Sequence, residues 1–118
     1  MTTAGPAHDL AEVEARLRAL LEPYAAALDW TTIYGLPTLR RRGAKAHEWF
    51  AFVKPAAKHV SLFLLPVHTM PAVAAAVPAI LLPRLTGKAT FTFRSLSADE
   101  EASLRMLIAH AYEAYAEG

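Results

Sequence analysis

Five histidines, His8, His47, His59, His68 and His110, are the side chains here that titrate nearest neutral pH, so any acid–base or metal chemistry would begin with them. No H-x-x-x-H spacing occurs. His47 and His59 look like a pair, because the expected strand register puts both on one sheet face. They then lie roughly 20 Å apart along the strand, whereas one ion gathers ligand atoms within about 2–2.5 Å. Each histidine therefore reads as a lone surface or interface group. Lys58-His59 is the best polar pair, yet neighbours in a strand point apart and do not form an acid–base couple. Cysteine is absent, no serine sits in a G-x-S-x-G turn, and the five glycines form no phosphate loop. Glu48 falls on the inner side of a hairpin, within reach of Arg41. No catalytic residue, metal ligand or cofactor is assigned, and a non-enzymatic protein is expected.

The chemistry left is charge. From Trp30 to Ala98 the chain carries nine lysines and arginines, Arg40, Arg41, Arg42, Lys45, Lys54, Lys58, Arg84, Lys88 and Arg94, against the single acid Glu48. The middle is thus +8 and the flanks −7, inside a chain of formal net charge +1. Such segregation points to an anionic partner rather than to a reaction. Arg40-Arg41-Arg42 cannot all serve one site, since alternate strand residues face opposite ways. A run of this kind more often blocks strand addition at an edge.

The elements that must position these residues follow from periodicity. Leu10, Val13, Leu17, Leu20 and Leu21 predict a helix over about 8–22, with Glu12–Arg16 and Glu14–Arg18 as acid-first pairs four apart. Pro23 opens a second short helix over about 23–29. Leu36–Arg42 and Lys45–Lys54 flank a Gly43-Ala44 turn, and Pro55-Ala56-Ala57 leads into a strand over about 58–65. Prolines break 71–85 into short helical turns. Lys88–Arg94 alternates as a strand. Ser97-Ala98-Asp99-Glu100 is a capping box opening a helix over about 98–116. The fold class is α+β: a two-layer sandwich, its antiparallel sheet of about four to five strands covered on one face by the N- and C-terminal helices. At 118 residues the chain is expected to be one domain, with 1–7 flexible.

With Val53 opposite His59, the covered face collects Leu39, Phe50, Phe52, Val60, Leu62, Leu64, Phe91 and Phe93. The outer face collects Thr38, Arg40, Arg42, Lys45, His47, Trp49, Ala51, Val53, His59, Ser61, Phe63 and Leu65, joined by Lys88, Thr90, Thr92 and Arg94. A one-residue slip would exchange these faces. Basic residues interleaved with aromatics suit an anionic small molecule or a protein partner. Sequence-specific nucleic-acid recognition ranks below these, because no recognition motif is present. The same patch, with Trp49 and Phe63 paired at its centre, suits a homodimer. Whether Pro71–Leu85 folds over it is open.

Three segments resemble the YdhG-like family of small bacterial domains of unknown function, some described as frataxin-like intracellular iron chaperones. They are Ile33-Tyr34-Gly35-Leu36-Pro37-Thr38, Lys58-His59-Val60-Ser61-Leu62-Phe63 and Gly87-Lys88-Ala89-Thr90-Phe91-Thr92-Phe93, and the likeness spans about Leu10–Tyr115. It implies a frataxin-like sandwich and, as an alternative function, iron delivery, with iron entering by resemblance only. Together with residue polarity it groups Tyr34, Lys58, His59 and Lys88 at one sheet end. Arg40 and Trp49 complete the expected ligand-binding set. Iron favours oxygen ligands, which leaves Asp9, Glu22, Asp29, Asp99, Glu100, Glu113 and Glu117 as candidates. Residues 1–12 lack a secretory pattern, and prolines interrupt the longest weakly polar stretch, Pro66–Pro83. A cytoplasmic protein that does not span a membrane is expected.

Overall fold

Helix α1 (Leu10–Leu21) forms because its apolar residues recur at helical spacing, and it buries Val13, Leu17, Leu20 and Leu21. In the computed structural model residues 9–25, 28–33, 36–40 and 49–117 are described, except for the side chains of Asp29, Ile33, Leu36, Pro37 and Glu117. Both expected ion pairs brace the exposed face of α1: Arg16–Glu12 at 3.1 Å and Arg18–Glu14 at 2.7 Å. Pro23 permits only a 3₁₀ turn, Glu22–Tyr24, where the sequence suggested a helix to 29. The chain instead enters a strand, β1 (Asp29–Ile33). Its Trp-Thr-Thr-Ile run is aromatic and β-branched, a composition that stiffens χ1 and favours extended backbone.

Four further strands follow: β2 (Leu36–Arg40), β3 (Trp49–Pro55), β4 (Val60–Leu64) and β5 (Thr90–Phe93). All pair antiparallel, each with its sequence neighbour, in the order β1-β2-β3-β4-β5. Between β3 and β4 the chain turns over Ala56–His59, and the Ala56 N–H donates to the His59 carbonyl at 2.8 Å. Val53 therefore lies opposite Leu62, three positions beyond the expected His59. An odd offset exchanges the faces of a strand. Ala51 and Val53 turn inward with Leu62, Leu64, Phe91 and Phe93, while Phe52 joins Phe63 on the outer side.

Phe50 escapes this exchange through a β-bulge. Leu39 faces Ala51 but Arg40 faces Trp49, so Phe50 is the extra residue. A bulge lets consecutive residues share a face. Phe50 and Ala51 are both buried in the core, and Trp49 stays on the outer side with Arg40. Phe50 then packs among Tyr24, Tyr112 and Tyr115, with ring centroids 5.2–6.1 Å away.

After β4 come α2 (Pro66–Thr69), α3 (Pro71–Ala75) and a 3₁₀ turn, Ala79–Arg84. Prolines at the starts of α2 and α3 keep both short. This segment packs against α4 (Ala98–Glu117), and its 3₁₀ turn against β5. Val67, Val73 and Leu81 enter the same core as Leu17, Leu104 and Ile108. The segment thus belongs to the helical side, which answers the open question about Pro71–Leu85. Leu85 then bridges to Phe91, and the Thr86 N–H donates to the Thr90 carbonyl at 2.9 Å.

The capping box at the start of α4 is formed in both directions. The Ser97 N–H donates to Glu100 Oε1 at 2.9 Å, and the Glu100 N–H donates to Ser97 Oγ at 3.0 Å. Arg84 Nε reaches the second oxygen, Oε2, at 2.6 Å. Arg16 also spans to Glu101 at 3.3 Å, tying α1 to α4.

Candidate functional site

Register places the expected ligand-binding residues at two separate ends of the outer sheet side. At the β3–β4 turn lie Lys58, exposed, and His59, half-buried. Lys54, opposite Ser61 and in line with Thr92, projects from the same end, and Arg94 follows immediately after β5. Arg40 and Trp49 pair at the other end, where Lys88 precedes β5. The five residue steps from Trp49 to Lys54 hold these ends roughly 17 Å apart. Lys58 and His59 therefore do not share a pocket with Lys88, contrary to the expected grouping. Tyr34 lies outside the described residues, as do Arg41, Arg42, Lys45, His47 and Glu48. Lys54 and Arg94 are the additions to the expected set. The alternation of their strands was the signal that could have found them, once β3 was correctly registered.

Between the two ends the outer side is closed rather than open. Phe52 and Phe63 stack at 4.4 Å with planes 14° apart, and Trp49 covers Phe52 at 4.9 Å. Phe52 is left 4% exposed and Thr38 0%. The expected Trp49–Phe63 pair is thus mediated by Phe52, a residue the sequence reading put in the core. Ala51 and Val53, assigned to this patch, face the helices instead. The continuous apolar surface that motivated a dimer centred on Trp49 is absent among the described residues. Hydroxyls meet on the β4–β5 side of this face: Ser61 and Thr92 at 3.4 Å, and Thr86 and Thr92 at 2.8 Å.

Charge divides by layer. Arg16, Arg18 and Arg105 pair with acids on α1 and α4, and Arg84 pairs with Glu100. Arg84 was counted with the basic middle, but a carboxylate sixteen positions on neutralises it. Arg40, Lys54, Lys58, Lys88 and Arg94 have no ion-pair partner among the described residues.

An iron site needs oxygen ligands gathered in one place. Asp9 and Glu22 cap opposite ends of α1. Asp99 lies in the first turn of α4, and Glu113 near its far end. Glu100 is committed to Ser97 and Arg84. His110 and Glu113 stand three apart on α4 as the chain's H-x-x-E spacing, and both are exposed. Among the described residues no group of three or more His, Asp or Glu comes together to hold a metal ion. The described carboxylates therefore do not fit the iron chemistry that the family resemblance implied.

These elements define an α+β two-layer sandwich: a five-stranded antiparallel meander with its helices on one face. No helix among the described residues is long and apolar enough to cross a membrane. No family model, curated protein or solved structure matches the chain.

Proposed function

We propose that this is a non-enzymatic binding domain that receives an anionic small molecule or an acidic protein segment on its sheet side. The observation that carries this reading is the division of charge. The helical-layer arginines and Arg84 are satisfied by carboxylates, whereas Arg40, Lys54, Lys58, Lys88 and Arg94 are not, among the described residues. Unpaired cations on one side of a small domain leave a positive field that concentrates anions. The turn end is the stronger focus. Lys54 comes from β3, Lys58 and His59 from the turn that joins it to β4, and Arg94 from the position just after β5. Glu12, Glu14, Glu100 and Glu101 are engaged by arginines, and Asp9, Glu22, Asp99 and Glu113 stand on the helical layer rather than beside these cations, which supports binding over acid–base catalysis on the sheet side.

Thermal unfolding of the full chain at low salt, with tripolyphosphate, nucleotides, tricarboxylates and a short acidic peptide, tests this. A ligand at about a hundred times its Kd adds roughly 2.7 kcal/mol, a rise of about 10 °C for a domain of this size. The double variant Lys54→Glu/Arg94→Glu should lose that rise, while the charge-matched helix variant Arg18→Glu/Arg105→Glu should keep it. No rise with any class at low salt retires the proposal.

A further inference from the structure

The two edges of the sheet are treated differently. The β5 edge is covered by the Leu85–Phe91 bridge and the Thr86–Thr90 hydrogen bond. Beside β1, among the described residues, nothing pairs with the side away from β2. Natural edge strands are usually blunted by lysine, proline or a bulge. Trp30-Thr31-Thr32 has none of these: it is uncharged and follows the β2 register without a shift. Trp30 is 42% exposed and Thr32 is exposed as well.

The direction of the free backbone groups follows from Pro37. It stands opposite Thr32 and has no N–H, so Thr32–Pro37 is a non-hydrogen-bonded pair. Pair types alternate along an antiparallel ladder, so Thr31 bonds to Thr38. Trp30 and Thr32 then point their N–H and C=O groups off the sheet.

We propose that β1 is a self-pairing edge at which a second copy of this chain adds antiparallel, giving a twofold dimer with one continuous sheet. With Thr31 opposite its own copy, Trp30 lies opposite Thr32 in each direction. Both such pairs then exchange N–H···O bonds, about four in all. The same register sets position 29 opposite position 33, so all five residues of β1 are paired. Trp30 shares the helix-side face with Leu39. The two copies of Trp30 become diagonal neighbours about 7–8 Å apart, within reach of aromatic side chains. Each exposed indole thus gains apolar cover at the dyad. A second copy, rather than an unrelated extended peptide, is favoured because it brings its own exposed Trp30 beside the first across the dyad, so that both indoles are covered by one contact. The proposal stands apart from the anion-binding reading and uses none of its cations.

Five paired residues bury less than the roughly 1,200 Å² of a standard interface, so association should be weak and concentration-dependent. Sedimentation of the full chain from about 10 μM to 1 mM covers the range expected for such interfaces. The wild type should move from monomer to dimer, and in a Trp49→Phe background the emission of Trp30 should shift to the blue as it does so. Thr32→Pro removes an outward N–H without touching the β2 ladder. Thr32→Lys, which asks less of the backbone, sets two like charges beside the dyad. Each should weaken the dimer about tenfold or more while leaving the circular dichroism of the monomer intact. A wild type monomeric throughout overturns the proposal. So does a dimer of equal strength in both Thr32 variants, or one lost only in Trp49→Ala, which would move the interface to the outer face.

Discussion

Replacing Glu100 by glutamine is the sharpest probe of how the helical layer is fastened. Glu100 is 6% exposed and its carboxylate takes donors on both oxygens, Ser97 N–H at 2.9 Å and Arg84 Nε at 2.6 Å. Burial alone would push its pKa up. The Ser97 backbone bond, the Arg84 hydrogen bond and charge, and the Ser97 hydroxyl outweigh burial and hold it below the ordinary value. Glutamine keeps the shape but offers one acceptor, so its NH₂ must face one of the two donors. A hydrogen bond to a charged group contributes about 1.5–3 kcal/mol, and the Arg84 side is reduced by solvent screening. That side chain is 35% exposed. A net loss of about 1–2.5 kcal/mol follows, or roughly 4–10 °C in Tm for a chain of this length. Denaturant unfolding from pH 7 to below pH 3 measures it. Because the folded pKa is depressed, the contribution is complete above the unfolded value and disappears as pH falls through the folded one. The gap between wild type and Glu100→Gln should therefore be widest near neutrality and close in acid. A gap under about 0.3 kcal/mol at pH 7, or one that does not change with pH, would refute the arrangement, since either departs from charged-bond behaviour.

Phe52→Ala should cost about 3–5 kcal/mol by denaturant unfolding, the range for a buried aromatic; a loss under about 1 kcal/mol would mean that the outer face is open. Trp49→Ala, at a half-buried site, should cost less than Phe52→Ala in the same assay. Burial, with Glu113 and Tyr112 adding to it, raises the Tyr24 pKa above its ordinary value of 10.0. Stability should accordingly be intact below that pH and fall as pH rises through the raised value, and Tyr24→Phe should flatten this alkaline limb in thermal melts. Arg16→Met should cost about 1 kcal/mol, since it cuts the Glu101 link between α1 and α4 as well as the local pair with Glu12.

Much of this molecule is set by local sequence. Apolar spacing at Val13, Leu17 and Leu20 makes α1, and Ser97 with Glu100 starts α4, because both signals act within a turn or two of helix. Alternation in Lys88–Arg94 is equally local and places Phe91 and Phe93 inward, as observed. The division of charge between the middle and the flanks is read directly from residue types. In Trp49-Phe50-Ala51-Phe52-Val53 that logic gives out. Every position is apolar, so a two-residue period carries no face information, and only pairing with β2 and β4 decides which rings go in. The Ala56–His59 turn moves the register by three and sends Phe52 outward; the bulge at Phe50 sends that ring back in. β1 goes unassigned from the sequence although its run is aromatic and β-branched, because Trp30-Thr31-Thr32-Ile33 lacks the alternation that marks a strand face. Arg84 and Arg16 found their acids across the fold, through contacts that depend on how the layers meet rather than on spacing along a helix. For the same reason the candidate site was half legible. The cations were countable from the sequence, but which of them stay unpaired, and at which end of the sheet, is decided by tertiary packing alone.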